Sequence, residues 1–363
     1  MTNTYGNNIS LSVFGGSHDE EIGMHLDGFP RGFLLDRDAL CRFLSRRAPG
    51  STPLGTPRKE SDLPIFLAGL DEEGKTTGER ITAIIKNNNT RSRDYSFVYD
   101  TPRPGHADFA ALQKYGNAVD LRGGGHFSGR LTAPLCIAGG ICQQYLKTKG
   151  IEIGAHIASV GDIADTPFDR TSPDNGLFDA LKNRPLAVID EGKGAEMAAL
   201  IERVRAEGDS VGGTLECAVT GLDAGLGEHM FSGVEARIAA ICFAIPAVKG
   251  ISFGAGFDLA AMRGREGNDP FYTDGVCVKT KTNNCGGILG GMTNGMPLCF
   301  TLAIKPTPSI AKEQQTVSLS RMENTTLKIT GRHDPCILPR AVPVAEAAAA
   351  LAVFDMLLDE SAR

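Results

Sequence analysis

Histidine and arginine occur together in short glycine- and proline-rich segments of this 363-residue chain. One segment reads Gly15-Gly16-Ser17-His18-Asp19, and another reads Arg103-Pro104-Gly105-His106-Ala107-Asp108. Histidine donates protons near neutral pH, and the arginine fork suits phosphate or carboxylate groups. An ordinary turn with an exposed histidine also explains the first segment, whereas a helix cap explains Asp108 but not His106. The two segments together favour acid–base chemistry beside a bound anion.

Three further segments carry the same kind of side chain. In residues 122–130, Arg122 and Arg130 flank three consecutive glycines whose backbone N–H groups can wrap a ligand. Residues 305–309, Lys-Pro-Thr-Pro-Ser, offer an amine and two hydroxyls to a phosphate or a flavin edge. In residues 331–336, the proline that follows Asp334 holds it extended. Each segment is also compatible with a plain loop, although a plain loop does not explain the arginines.

The overall charge excludes some classes of partner. The chain has 37 Lys and Arg against 43 Asp and Glu, for a net charge of −6. This balance disfavours a nucleic-acid or membrane-surface binder, which would normally be basic. Further positive charge lies at Arg46-Arg47 and at Arg58-Lys59. Arginines beside glycines and histidines in an acidic protein indicate a local pocket for one small, multiply charged anion.

The residue spacings that are typical of several other kinds of site do not occur in the sequence. The sequence has no C-x-x-C or H-x-x-x-H for zinc and no dinucleotide-binding glycine fingerprint after a strand. The nine cysteines are irregularly spaced and odd in number, and we expect reduced thiols in a cytoplasmic protein. We expect no apolar run near the roughly 18 residues that span a bilayer, and hence no contact with a membrane.

Composition and periodicity predict the fold class. Glycine makes up 44 of 363 residues without a collagen period, tryptophan is absent, and 42% of residues are hydrophobic. We predict strands at residues 9–14, 81–85, 213–220 and 298–304, and helices at 36–47, 107–115, 130–149, 194–206, 235–243 and 344–358. Because no regular βαβ rhythm occurs, an α+β architecture with antiparallel sheets is favoured over a Rossmann sheet. Residues 166–192 are the only candidate boundary, and we predict a single domain over residues 1–363.

The motifs together resemble those of the chorismate synthase family. The matching segments cover nearly the whole chain, from Tyr5 to the alanine-rich tail, and are residues 103–108, 114–116, 123–125, 286–291, 305–309 and 331–343. The resemblance implies elimination of phosphate from 5-enolpyruvylshikimate 3-phosphate to give chorismate, the last common step of the shikimate pathway, with reduced FMN as cofactor. It also implies a four-layer α+β sandwich, in which antiparallel sheets enclose helices, and a homotetramer.

The resemblance assigns roles to individual residues. His18 would assist the leaving phosphate, and His106 would protonate or hold the reduced flavin. Asp334 would aid proton removal near flavin N5, with Ser17 and Ser128 nearby. Substrate anions or the flavin would be bound by Arg47, Arg103, Arg130 and Arg332. Flavin contacts would come from His126, Phe127, Ser128, Pro246, Ala247, Gly290, Lys305, Pro306, Thr307, Pro308, Ser309 and Arg332.

The sequence departs from the usual family pattern at two turns. The first turn usually reads G-E-S-H-G, and here it is Gly-Gly-Ser-His-Asp. His126 and Phe127 replace a flavin-contacting arginine and serine, and a second arginine usually found shortly after Arg47 is missing. We expect an active enzyme of a divergent subgroup.

Two other functions and the source of reduced flavin stay open at this point. One alternative is an impaired paralogue that binds FMN or phosphate. The other is a metal-dependent phosphohydrolase built on the His-Asp pairs. We expect an external flavin reductase, and an NAD(P)H-dependent reductase activity of the chain itself is the alternative.

Overall fold

The computed structural model describes residues 4–50, 52, 54–55, 60–87, 97–329 and 334–361. Its first large sheet has five antiparallel strands. In spatial order they are β1 (Thr4–Tyr5), β2 (Ser10–Gly15), β3 (Glu21–Asp27), β5 (Ile81–Lys86) and β4 (Ile65–Ala68). The first histidine segment, residues 15–19, thus lies directly between two neighbouring strands, β2 and β3.

The second large sheet is also five-stranded and antiparallel. Its spatial order is β10 (Val248–Phe253), β15 (Leu298–Ile304), β8 (Gly213–Thr220), β6 (Glu152–Val160) and β7 (Ile163–Ala164). Smaller pairings involve β9 (Ala224–Gly227), β11 (Phe271–Thr273), β12 (Val278–Thr280), β13 (Ile288–Leu289), β14 (Met292–Asn294), β16 (Glu313–Ser318) and β17 (Glu323–Lys328).

Some of the helices lie between the two large sheets. The helices are α1 (Arg37–Arg47), α2 (Asp108–Tyr115), α3 (Thr132–Thr148), α4 (Asn175–Lys182), α5 (Glu191–Ala206), α6 (Val234–Ala244), α7 (Gly264–Gly267) and α8 (Leu338–Ser361). Helix α3 packs on the first sheet through β2, β3 and β5, α8 packs on the second through β6 and β8, and α3 packs against α8. The sheet–helix–helix–sheet order confirms the predicted four-layer α+β sandwich.

Small residues allow α3 and α8 to approach closely. A Cβ atom added at Gly139 of α3 would lie 2.5 Å from the Cα of Ala347 in α8. The facing stretch of α8, residues 347–350, is four consecutive buried alanines. Although glycine has a low helix propensity, Gly139 is therefore a packing requirement of the contact between α3 and α8.

Helix α8 is apolar over most of its length and lies in the core. Its residues Leu338–Asp359 have the length and hydropathy of a membrane span, and 89% of the most apolar window is buried inside the protein. The expectation that no segment reaches that length and hydropathy is therefore wrong. The helix also begins before the predicted residue 344 and continues through Pro343, although a proline at that position removes one backbone hydrogen bond of the helix.

Two carboxylates inside α8 are buried and fully engaged. Glu346 accepts two hydrogen bonds from the Arg46 guanidinium, at 2.5 and 2.9 Å. Asp355 accepts from the backbone N–H groups of Asn7, Asn8 and Ile9, at 2.8–3.1 Å. These contacts attach α8 to the end of α1 and to the segment that leads into β2.

We predict that Asp355→Ala destabilises the fold by about 2–4 kcal/mol, because three backbone donors and the buried Arg237 lose a charged acceptor. Urea unfolding followed by circular dichroism measures the change. Asp359→Ala, which removes a half-exposed carboxylate one turn further along α8, is the control and is expected to cost less than about 1 kcal/mol. Equal losses for the two variants would contradict the role given to Asp355.

Candidate active site

A cavity of about 610 Å³ opens where the segments rich in histidine and arginine meet. Its walls come from the end of α1, the loop before α2, the glycine-rich turn before α3, and the start of α8. The end of α6, the start of β10 and the segment after β15 complete it. These elements belong to distant parts of the chain, so only the fold brings their side chains together. The volume lies within the usual range of small-molecule sites, about 300–1,000 Å³.

Most of the predicted site residues line this cavity. They are Arg47, Arg103, His106, His126, Phe127, Ser128, Arg130, Pro246, Ala247, Lys305, Thr307, Pro308, Ser309 and Asp334. Among the described residues, Pro306 lies between two lining residues without lining the cavity itself. Arg332, Arg58 and Lys59 lie outside the described residues.

Gly290 is the predicted flavin contact that the structure does not bring to the cavity. It lies in the turn between β13 and β14, whose Gly291 carbonyl accepts from the N–H of Val234 at the start of α6. The cavity is lined instead by Phe243 and Ala244 at the other end of this helix. An 11-residue helix is about 16 Å long, so Gly290 is well removed from this cavity within one chain.

The glycine-rich turn packs directly on the first histidine segment. Gly123 has a φ of +59°, and a Cβ atom there would lie 2.1 Å from Cε1 of His18. Only glycine fits this position, both for its left-handed backbone and for its contact with the imidazole. His18 therefore stands against a residue of the cavity wall rather than in the wall itself.

Hydrogen bonds hold these two turns together. The Ser17 N–H donates to the Gly125 carbonyl at 3.1 Å, and the Ser17 hydroxyl donates to the Arg122 carbonyl at 3.0 Å. The same hydroxyl lies 3.2 Å from Nδ1 of His18. In return, Nδ1 of His126 donates to the Gly15 carbonyl over 2.9 Å. Ser17 thus positions His18, and one ring nitrogen of His126 is bonded to the backbone.

His106 is oriented by a buried carboxylate. Asp108 receives two 2.7 Å bonds from the Arg103 guanidinium and one 3.0 Å bond from the Arg103 N–H. Nδ1 of His106 lies 2.7 Å from the same carboxylate and 3.1 Å from Nη2 of Arg103. Burial by itself would raise the pKa of Asp108, yet the bonds from Arg103 and His106 hold that pKa well below its ordinary value. Because Nδ1 faces these two groups, the Nε2 atom of His106 remains for a ligand. The sequence had indicated only a helix cap for Asp108.

A second carboxylate joins two of the predicted anion-binding arginines. Arg47 at the end of α1 and Arg130 just before α3 each bond one oxygen of Asp62 through Nη1. All three side chains are at least 95% buried. Burial alone would raise the pKa of Asp62, and the two guanidinium groups together lower it below its usual value.

The two arginines differ in how completely they are bonded. Arg47 also donates to the Thr132 hydroxyl and the Gly129 carbonyl, each at 3.1 Å. Arg130 donates through Nε to the Asn87 side chain at 3.1 Å. Its buried Nη2 has no hydrogen-bond partner among the described residues. A buried, unpartnered guanidinium nitrogen at a cavity wall is costly, and an anionic ligand would satisfy it.

Asp334 is held by an arginine that sequence reasoning missed. Nη1 of Arg340, in the first turn of α8, donates to Oδ2 of Asp334 at 2.6 Å. Nε of the same side chain donates to the Arg47 carbonyl at 2.9 Å. Burial lowers the pKa of Arg340, and the Asp334 carboxylate opposes that effect. The sequence motifs gave no site role to Asp62, Asp108 or Arg340, because the importance of these residues lies in which charge they face.

We predict that Asp62→Asn lowers the unfolding free energy by about 3–5 kcal/mol, because it removes the carboxylate paired with the buried Arg47 and leaves the buried Arg130 with only the 3.5 Å contact to Glu60 among the described residues. Chemical denaturation measures the change. The control is Asp27→Asn, which removes the same charge from the exposed pair with Arg80 and is expected to cost less than about 1 kcal/mol. An Asp62→Asn protein as stable as the control would contradict a structural role for this carboxylate.

Comparison with known proteins agrees with this geometry. A family model described as chorismate synthase matches residues 9–358. A chorismate synthase of Lancefieldella parvula is 45% identical over 98% of this chain and 96% of its own length. One of Thermococcus kodakarensis is 44% identical over 97% of each chain. A crystal structure of chorismate synthase superposes with a TM-score of 0.77 and 25% identity, covering 98% of this chain and 93% of the other. With arginines, imidazoles and carboxylates converging on one cavity inside a matching four-layer fold, the chain belongs to the chorismate synthase family.

Proposed function

We propose that this protein is a lyase that eliminates phosphate from 5-enolpyruvylshikimate 3-phosphate and forms chorismate, the last common step of the shikimate pathway. Its family membership supports this reaction. The observation that carries the proposal is the set of charged groups around one cavity. Arg47, Arg130, His106 and Asp334, from four separate elements, line it together. A substrate with a phosphate and carboxylates needs such cations.

Reduced FMN is the proposed cofactor, and the residues of the cavity fit it. An apolar wall of Phe243, Ile245 and Val248 with Pro246 and Ala247 suits a planar ring. The buried Thr307 hydroxyl has no hydrogen-bond partner within the described ranges, so it has a donor to offer. FMN would be held by this wall, by His126 and Phe127, and by the segment 305–309. When bound, the reduced flavin supplies an electron transiently to the substrate, and the net reaction is redox-neutral.

The side chains have two further roles, which are to bind the anionic groups of the substrate and to transfer protons. Arg47 and Arg130 bind the anionic groups of the substrate, with Nη2 of Arg130 as the donor still available. His18, positioned by Ser17, gives the departing phosphate a proton, since a protonated phosphate leaves more readily. His106 keeps its Nδ1 proton on Asp108 and presents Nε2 to the flavin. Asp334 assists removal of the ring proton, and Arg340 holds its carboxylate in place.

Several further properties belong to the same proposal. We infer one domain for residues 1–363, supported by a single large buried cluster that includes strands of both sheets. We infer a cytoplasmic homotetramer that receives reduced flavin from an external reductase. Support for association comes from exposed apolar side chains such as Phe231, Phe257 and Val276, each at least 85% accessible in the single chain.

We expect the purified protein to form chorismate under anaerobic conditions when it is given reduced FMN and 5-enolpyruvylshikimate 3-phosphate. The ultraviolet absorbance of chorismate measures turnover. Substrate binding without turnover would contradict the proposal and support an impaired binding paralogue. Activity that needs no flavin and disappears with a chelator would instead support a metal-dependent phosphohydrolase.

We predict that His18→Ala, His106→Ala and Asp334→Asn each lower turnover by about 10²-fold or more, the scale of a positioned acid–base group. FMN binding by Asp334→Asn should stay near that of the unmodified protein. His229→Ala is the control, because His229 is an exposed histidine paired only with its neighbour Glu228. Near-normal rates for all three site variants would show that the assigned proton-transfer roles are wrong.

A further inference from the structure

The backbone that enters β10 is irregular at two positions beside the cavity. Ala247 has a φ of +75°, a left-handed conformation that is rare and costly for a residue with a Cβ atom. Lys249 is an extra residue in the ladder to β15, since Val248 pairs with Ile304 and Gly250 with Ala303. A bulge of this kind turns a side chain away from the direction that regular alternation would give it. Two such features within three residues indicate a functional reason for where Lys249 points.

Lys249 lies in the cavity wall without a counter-ion. It lines the cavity, and its ammonium group has no hydrogen bond or ion pair in the part of the chain that the structure describes. Some exposed lysines have acidic partners, for example Lys193 with Glu196 and Lys312 with Asp209, whereas Lys281, like Lys249, has none among the described residues. Lys249 is thus distinguished by its place in the cavity wall and by its backbone.

A second lysine repels Lys249 from across this wall. Lys305 donates to the Gly105 carbonyl through Nζ. Burial lowers the pKa of Lys305, and the positive charge of Lys249 lowers it further. Two ammonium groups on one cavity wall repel each other, and a bound anion would relieve that repulsion.

The same wall also holds a hydroxyl that lacks a partner. The Thr307 Oγ1 atom is buried and makes no hydrogen bond with any described residue. Its position is fixed, because the Thr307 carbonyl accepts a 2.7 Å bond from the Ser210 hydroxyl. Two ammonium groups and one hydroxyl match a phosphate monoester, which has three acceptor oxygens and carries about −1.5 to −2 charges at pH 7.

We propose that Lys249 is a binding residue for a phosphate monoester and that it acts together with Lys305 and Thr307. The proposal rests on the proposed function in that the flavin and the substrate each carry such a group. Lys249 was not among the residues that the sequence motifs indicated. The bulge and the left-handed Ala247 are what bring its ammonium group into the cavity wall.

Calorimetric titration of the full-length protein with oxidised FMN, riboflavin and 5-enolpyruvylshikimate 3-phosphate tests this proposal without turnover. Lys249→Gln should weaken binding of one phosphate-bearing ligand by about 5–30-fold, the scale of one charge-assisted hydrogen bond, and leave riboflavin binding unchanged. Lys249→Arg keeps the charge and should lose less. Lys281→Gln, which removes an exposed lysine outside this cavity, is the control and should bind all three ligands normally.

Each pattern of results decides the question. Weaker FMN binding with normal substrate binding supports the proposal and assigns Lys249 to the flavin phosphate, and the reverse supports it for the substrate phosphate. Unchanged affinity for both, equal loss of FMN and riboflavin, or no binding of either phosphate ligand by the unmodified protein would overturn it. If the unmodified protein binds these ligands without turnover, the proposed reaction fails and the role of Lys249 is still decided by the titration.

Discussion

The buried Asp62 carboxylate between Arg47 and Arg130 is the contact on which the site depends. Two guanidinium groups held this close in a protein interior would repel each other strongly without a shared anion. With Asp62, and with Glu60 lying 3.5 Å from Nε of Arg130, the two guanidinium charges are balanced. The Nη2 nitrogen of Arg130 still has no partner among the described residues. The two carboxylates therefore allow the cations to gather before a ligand arrives, and an N–H donor of Arg130 is left for an anion.

The same cluster ties the site to the core of the fold. Arg47 ends α1, Arg130 directly precedes α3, and both helices pack against α8. Arg340 of α8 completes the connection, since it bonds the Arg47 carbonyl and the Asp334 carboxylate. The glycine and alanine contact between α3 and α8 sets how closely these helices approach. The geometry of the charged groups thus follows from the packing of the apolar layer beneath them, and a helix shift would move substrate-binding and proton-handling groups together.

Sequence reasoning succeeded where the signal is local. Asp36 caps α1 by accepting from the Ala39 N–H, as its position before an amphipathic run predicts, and the strands at 213–220 and 298–304 have the predicted bounds. It failed for β6, which is buried on both faces and has no polar–apolar alternation. It also missed the partners of the site residues. Asp62 lies 15 residues from Arg47 and 68 from Arg130, so only the folded chain reveals that they share a carboxylate.

The departures of this chain from its family also have a physical interpretation. His126 stands where an arginine is usual, and its Nδ1 is committed to the Gly15 carbonyl. It therefore serves to join two turns and brings less positive charge to the cavity than an arginine would.

The wall formed by the start of β10 and the segment after β15 still has two lysines and a hydroxyl without a partner among the described residues. Because the protein as a whole is acidic, an anionic ligand is attracted only by such local groups, and the loss of one arginine increases the importance of that wall. The identity of residue 126 and the unpaired charge of Lys249 are therefore best understood as parts of one distribution of positive charge around the cavity.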